Sequence, residues 1–238
     1  MWLLHATRVM IPAGRWFFRG SRVVHGDRLP REGPVLLACN HASFLDPWFI
    51  GMLIPRLPIR FLITEDWYWR NRFWTAFFAA YGAIPTSDRR PAETIVRVVD
   101  ALGKGDLVGI FPEGRISHDG RMNEVRHGVG WIAALSGAPV VPCALRGDYE
   151  ALPRHRKLPR RHAVELVIGE PLHLPGSPVD QPSPAEVHAF TREVAAAIAA
   201  LAGQEEHLDR ILPSREPRDI VPLLARARGA IARRGSSG

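Results

Sequence analysis

Only two cysteines, Cys39 and Cys143, occur in the 238 residues, and both fall in apolar, strand-like runs. Such a pair offers no disulfide framework and reads as two buried thiols in a reducing compartment, the cytoplasm. Nowhere is there an uninterrupted apolar run of about 18 residues, the length a membrane-spanning helix needs. The stretch MWLLHATRVMIPAGRWFFRG at the N-terminus is apolar but broken by His5, Arg8 and Arg15, with no small-residue cleavage site after it, so a secretory signal is not expected. Internal repeats and recognisable nucleic-acid-binding signatures are missing too. Acidic side chains are in deficit, 24 against 31 Lys and Arg, and the resulting charge of +7 favours anionic partners without choosing among them.

What is present suits a globular domain with terminal additions: 46% of residues are hydrophobic and 23% charged. Apolar runs of strand length recur at 34–39, 59–63, 107–111, 139–145 and 163–168, and helical patterns fall near 47–54, 67–81, 91–103, 127–136 and 184–202. Pro91 and Pro184 suit first helical turns. Ser183 and Glu186 form a capping-box pattern ahead of the stripe Val187, Phe190, Val194, Ile198 and Leu201. This alternation predicts an α/β fold with a central, largely parallel or mixed sheet flanked by helices. An amphipathic segment, 1–24, precedes the main domain, 25–203. Beyond it lies a basic helical tail, 204–238, whose last part carries six arginines against Glu216 and Asp219 and can dock on an anionic membrane or on the protein itself.

The stretch CNHASFLDP, 39–47, places His41 and Asp46 five positions apart after the run PVLLAC. On one regular helix those residues would sit roughly 140° apart and would not meet. Asp46 before Pro47 can be an ordinary helix cap. Alternatively His41 ends a strand, Asp46 opens the next helix, and the loop between them folds back so that the carboxylate meets one ring nitrogen. The other nitrogen is then free to take a proton from a hydroxyl. The end of a strand in an open α/β sheet is where ligands usually bind.

A second stretch, FPEGRIS at 111–117, also follows an apolar strand. Pro112 stops the ladder, Glu113 presents a carboxylate, Gly114 permits a close backbone approach and Arg115 offers a fork suited to phosphate. Together NHASFLD and FPEGRIS, about 70 residues apart, resemble the first and third sequence blocks of the glycerolipid acyltransferase family, best known from the 1-acylglycerol-3-phosphate O-acyltransferases. GAIPTSDR at 82–89 is similar to the second block, one step longer than the pattern, so either Arg89 or Arg90 stands where an acceptor phosphate is contacted. APVVPCAL at 138–145 resembles the fourth block, and RHG at 126–128 the basic element before it.

The resemblance implies that His41 is a general base activating an acceptor hydroxyl for direct attack on an acyl thioester, that Asp46 orients it, and that Asn40 supports the pair. It also implies that Glu113 and Gly114 position the acceptor backbone while Arg89 and Arg115 hold its phosphate. No metal or cofactor enters; acyl-CoA or acyl carrier protein is the donor substrate. Lysophosphatidic acid is the expected acceptor, other lysolipids and glycerol 3-phosphate being alternatives. An enzyme meeting a lipid acceptor belongs at the cytoplasmic face of a membrane, peripheral or monotopic, and the Trp, Tyr and Arg mixture at 67–82 suits an interface. Within it Phe73, Phe77 and Phe78 are expected in the core. RHRKLPRR, 154–161, is a candidate landing site for donor phosphates or for an acidic carrier protein.

Three competing readings remain. A Cys39 nucleophile with His41 as base would make a thioesterase, though an apolar strand is where an inert thiol belongs. A metal held by His41, Asp46 and Glu113 would lack a second histidine or cysteine. A basic module binding membranes without catalysis is allowed by charge and aromatic content, whereas nucleic acid as a partner is not expected.

Overall fold

The computed structural model describes residues 12–215 and 217–227. In chain order the elements are α1 (12–17), β1 (Arg22–Val24), β2 (Val35–Cys39), α2 (Asp46–Leu53), β3 (Ile59–Thr64), α3 (Glu65–Tyr68), α4 (Arg72–Ala80), β4 (Ile84–Thr86) and α5 (Pro91–Gly103). Then follow β5 (Leu107–Ile110), α6 (Gly128–Ser136), β6 (Val140–Arg146), α7 (Asp148–Ala151), β7 (Glu165–Ile168), α8 (Pro184–Ala202), α9 (Leu208–Ile211) and α10 (221–227).

Seven strands form one sheet in the order β1-β7-β6-β2-β5-β3-β4. All neighbours run parallel except β6 and β7, so β1 and β7 oppose the other five. The sheet is therefore mixed and largely parallel, as the alternation of runs predicts. β2, at its centre, is buried at every position. Its residues divide by the strand period of two: Leu36 and Ala38 join the core under α5, α6 and α8, while Val35, Leu37 and Cys39 join the core under α2 and Phe18. A continuous apolar run is what a strand covered on both faces requires.

Local chemistry sets the element ends. α8 starts with its capping box in place, Ser183 and Glu186 exchanging bonds, and stops at Gly203 in the left-handed region. Pro91 opens α5. The single helix expected over 67–81 is instead two, because Asn71 accepts from the Trp74 N–H at 3.0 Å and starts α4 afresh. The aromatic face of α4 also departs from expectation. The helix has no buried residue, Phe73 is 58% exposed, and Phe77 and Phe78 are only half-buried. It lies in the connection between β3 and the edge strand β4, packs chiefly on α3, and its rings stack mainly on one another.

Residues 1–11 of the expected amphipathic segment lie outside the described residues. Phe18, just after α1, inserts its ring edge-on against Phe49 at 4.9 Å. In the tail, Ile211, Leu224 and Ala227 are buried in the main core, so this part docks on the protein itself. The arginines from 228 onward lie outside the described residues. Among the described residues no helix is long and apolar enough to cross a membrane.

Candidate active site

β2, β5 and β6 lie side by side, and each delivers a polar side chain just past its C-terminal end. His41 follows β2, and the chain turns at once into α2, whose first residue is Asp46. The turn is tied down by the carboxylate itself: Asp46 Oδ2 accepts from the Ala42 N–H and the Ser43 N–H, each at 2.9 Å, and meets His41 Nδ1 at 2.8 Å. Strand end, loop and helix start thus bring together residues that one helix would separate. Asp46 does not cap the helix; the N-cap is Leu45, with no side-chain bond. Because a carboxylate only accepts, Nδ1 carries the hydrogen and Nε2 is left as an acceptor, unpartnered among the described residues.

Past β5, Glu113 is 2% exposed and both its oxygens are occupied by the protein's own donors. Oε1 accepts from the His41 N–H at 2.8 Å, and Oε2 from the Asn123 N–H at 2.7 Å and Asn123 Nδ2 at 2.9 Å. Its reach into the site is through the backbone of His41. The Ser117 N–H donating to His41 O at 2.8 Å completes the clamp. The His41 ring lies flat on Phe111, centroids 4.0 Å apart, which fixes its plane.

Asn40 acts one strand over. Its carboxamide donates to Leu145 O at 3.1 Å and accepts from Leu145 N at 2.8 Å, prolonging the β2–β6 ladder with a side chain. Among the described residues no group of three or more His, Cys, Asp or Glu side chains is arranged so that it could hold a metal ion, His41, Asp46 and Glu113 included. Cys39 is buried, which pushes its thiol well above the usual range and away from nucleophilic thiolate.

Burial dominates the protonation of the site. It lowers His41 to about 4, against the pull of the Glu113 and Asp148 carboxyls, so the imidazole is neutral at physiological pH. It raises Asp46 to about 7 and Glu113 to about 7, outweighing the N–H donors around each. A neutral, ordered imidazole with one nitrogen free and a carboxylate behind the other is arranged to accept a proton.

Of the arginine candidates, Arg89 and Arg115 are exposed and form no ion pair among the described residues. Arg90 is committed, to Glu65 at 2.8 Å and Glu93 at 3.2 Å. Gly114 has φ 70°, and a Cβ there would stand 2.8 Å from Arg126 Nε, so its small size makes room for Arg126. Arg126 in turn holds Asp88, the neighbour of Arg89, at 2.7 Å. Asn123, Arg126 and Asp148 were not among the expected site residues. Arg126 alone had a signal, in the RHG element; nothing local distinguished Asn123 from a loop residue or Asp148 from a helix start.

Comparisons with known proteins place the chain in a family and establish its fold. A family model described as Acyltransferase matches residues 21–146. A 1-acyl-sn-glycerol-3-phosphate acyltransferase of Bacillus subtilis is 28% identical over 65% of this chain and 74% of its own length. A chloroplast enzyme of the same description from Arabidopsis thaliana is 29% identical over 63% of this chain, a match spanning only 42% of that protein. Among solved structures, the 1-acyl-sn-glycerophosphate acyltransferase PlsC of Thermotoga maritima aligns with a TM-score of 0.62 over 85% of this chain and 76% of its own, at 23% identity, which establishes the fold.

Proposed function

Because the chain belongs to the acyltransferase family, we propose that it transfers a fatty acyl group from an acyl thioester to the hydroxyl of 1-acylglycerol 3-phosphate, giving phosphatidic acid, with His41 as general base. The observation behind this reading is the 2.8 Å contact between His41 Nδ1 and Asp46 Oδ2 at the carboxyl end of a central parallel strand. The names of the curated relatives support the acceptor.

In the reaction, Nε2 of His41 takes the proton of the acceptor hydroxyl as its oxygen attacks the thioester carbonyl carbon. The charge formed on the imidazole is met by Asp46 across the Nδ1 bond. When the tetrahedral adduct collapses, the C–S bond breaks and the departing thiolate receives the proton from Nε2, leaving an ester and a free thiol. No covalent acyl-enzyme, metal or cofactor is needed. Arg89 and Arg115 hold the acceptor phosphate. Glu113, its oxygens engaged by the chain, acts by fixing His41 and the loop to Asn123, and Asn40 by fixing β2 to β6. The exposed rings of Trp67, Trp69 and Phe73 with Arg70 and Arg72 give α3 and α4 the composition of a membrane-interface element, which suits a peripheral enzyme meeting a bilayer-borne acceptor. RHRKLPRR begins beside the site, Pro153 forming a β-bridge with Ser43, and is the surface on which donor phosphates would land.

The test is a panel of lyso-acceptors offered with acyl-CoA and with acyl carrier protein donors, products read by mass spectrometry. Transfer to 1-acylglycerol 3-phosphate that disappears in His41→Ala is the expected result. Undiminished turnover in His41→Ala would falsify the base assignment, and lipid binding without turnover in the native protein would favour a non-catalytic module.

A further inference from the structure

Behind Asp46 lies a second carboxyl group that the reaction scheme does not use. Asp148 is the first residue of α7, immediately past β6, and is 3% exposed, while Asp46 is fully buried. The two carboxyl groups lie within hydrogen-bonding reach of each other. Each has one oxygen, Asp46 Oδ1 and Asp148 Oδ2, without a donor among the described residues. Two facing, buried carboxylates cannot both be ionised without a cation, whereas one shared proton satisfies both orphan oxygens at once. The neighbouring titratable groups are His41 from the loop after β2, Glu113 past β5, and the thiols of Cys39 in β2 and Cys143 in β6; none brings a fixed positive charge.

The arrangement is built by the fold. Asn40 anchors β6 to β2 through Leu145, and Gly147, at φ 84°, turns the chain where any Cβ would collide with Ala163 O. Asp148 is thereby fixed beneath Asp46. Which partner holds the proton follows from the donors. Asp46 Oδ2 already receives three, from His41 Nδ1, Ala42 N and Ser43 N, all of which favour its anion. Asp148 has only the backbone N–H groups of itself and Tyr149, and burial raises it well above the usual carboxylate range.

We propose that Asp148 is a positioning residue, a neutral carboxylic acid that donates its O–H to Asp46 Oδ1 and so keeps Asp46 anionic and aimed at His41. The inference rests on the reading of His41 and Asp46 as the catalytic pair. In operation Asp148 neither touches substrate nor changes its proton. It supplies the fourth donor to a carboxylate that must stay charged where water is absent.

The experiment compares full-length native protein, Asp148→Asn and Asp148→Ala. Asparagine can donate from its amide to Asp46 Oδ1; alanine cannot. Losing a hydrogen bond to a charged group is worth about 1.5–3 kcal/mol, so Asp148→Ala should lower kcat about 10- to 100-fold with the acceptor KM unchanged. Its acid limb of kcat/KM should move to higher pH, whereas Asp148→Asn should retain kcat within about threefold, a residual well under one such bond. Independently of turnover, infrared difference spectra of native protein minus Asp148→Asn should contain the carbonyl stretch of a protonated carboxylic acid at neutral pH. Loss in Asp148→Asn equal to that in Asp148→Ala, native kcat in Asp148→Ala, or absence of the infrared band would each overturn the proposal. If Asp148→Ala does not fold, the band and the Asp148→Asn profile decide it. If His41→Ala remains active, the catalytic reading falls, while the band still reports on the shared proton.

Discussion

Two clusters of charged side chains in this molecule obey opposite rules. At the surface, Glu65 of α3 and Arg90, Glu93 and Arg97 around α5 form a network in which every charge meets its opposite. Inside, at the ends of β2, β5 and β6, the carboxyls of Asp46, Glu113 and Asp148 are buried and none forms an ion pair with Lys or Arg among the described residues, Arg210 acting on Glu113 only from a distance. The surface pairs are screened by water and contribute little to stability. The buried group works against the charged form of each member, and it is there that protonation is displaced far enough to serve chemistry.

Substitutions at the buried cluster should therefore have the larger consequences. Removing the base in His41→Ala should lower kcat about 10²- to 10⁴-fold, the range of general-base contributions, with Asp46→Asn close behind and KM little changed in either, measured by steady-state acyl transfer. Glu113→Ala leaves three buried donors, His41 N, Asn123 N and Asn123 Nδ2, without their acceptor. At about 1–3 kcal/mol for each orphaned group, denaturant unfolding should record a loss of at least about 3 kcal/mol, together with lost activity as His41 comes free. Among the candidate arginines the effect divides by partner. Arg89→Ala and Arg115→Ala should each raise the acceptor KM about 10- to 100-fold, as expected for a charge-assisted bond to phosphate, while Arg90→Ala, already engaged by Glu65 and Glu93, should leave KM where it was.

The remaining contrasts are in pH. Since His41 stays neutral down to about 4 while Asp46 and Glu113 lose their protons only through about 7, kcat/KM should rise with pH through about 7, a limb that belongs to the buried carboxyls. A limb near 4 would assign it to the imidazole. For stability the sign runs the other way. Asp148 holds its proton in the folded state far above the unfolded value of about 3.9, so the stabilisation is complete below that value and is lost progressively as pH rises toward the folded pKa. Asparagine has no proton to lose, and the Tm advantage of Asp148→Asn over native protein should grow from acid to alkaline pH.

Much of the frame was legible in the sequence because the signals that set it are local. VLLAC is uniformly apolar and is a strand covered on both faces; Pro91 and the Ser183–Glu186 box start α5 and α8 where the pattern places them. The 67–81 segment misled for an equally physical reason: periodicity reports an apolar face but not whether anything lies opposite it, and α4 packs chiefly on the short α3. The short β1 and α7 carried too few residues for any period to register.

The same division holds at the site. From the sequence came the possibility of pairing His41 with Asp46, because a strand end followed by a helix start can close the four intervening residues, and the resemblance carried by NHASFLD and FPEGRIS together favoured it over a helix cap. Only the tertiary structure decided that Glu113 clamps the His41 backbone, that Arg90 is engaged while Arg89 is open, and that Asp148 meets Asp46 from about a hundred residues away. Those facts depend on β6, β2 and β5 being neighbours in the sheet. A residue past the end of a strand has no periodicity to betray its partner, and strand order, set by burial of both faces at once, is a property of the whole chain.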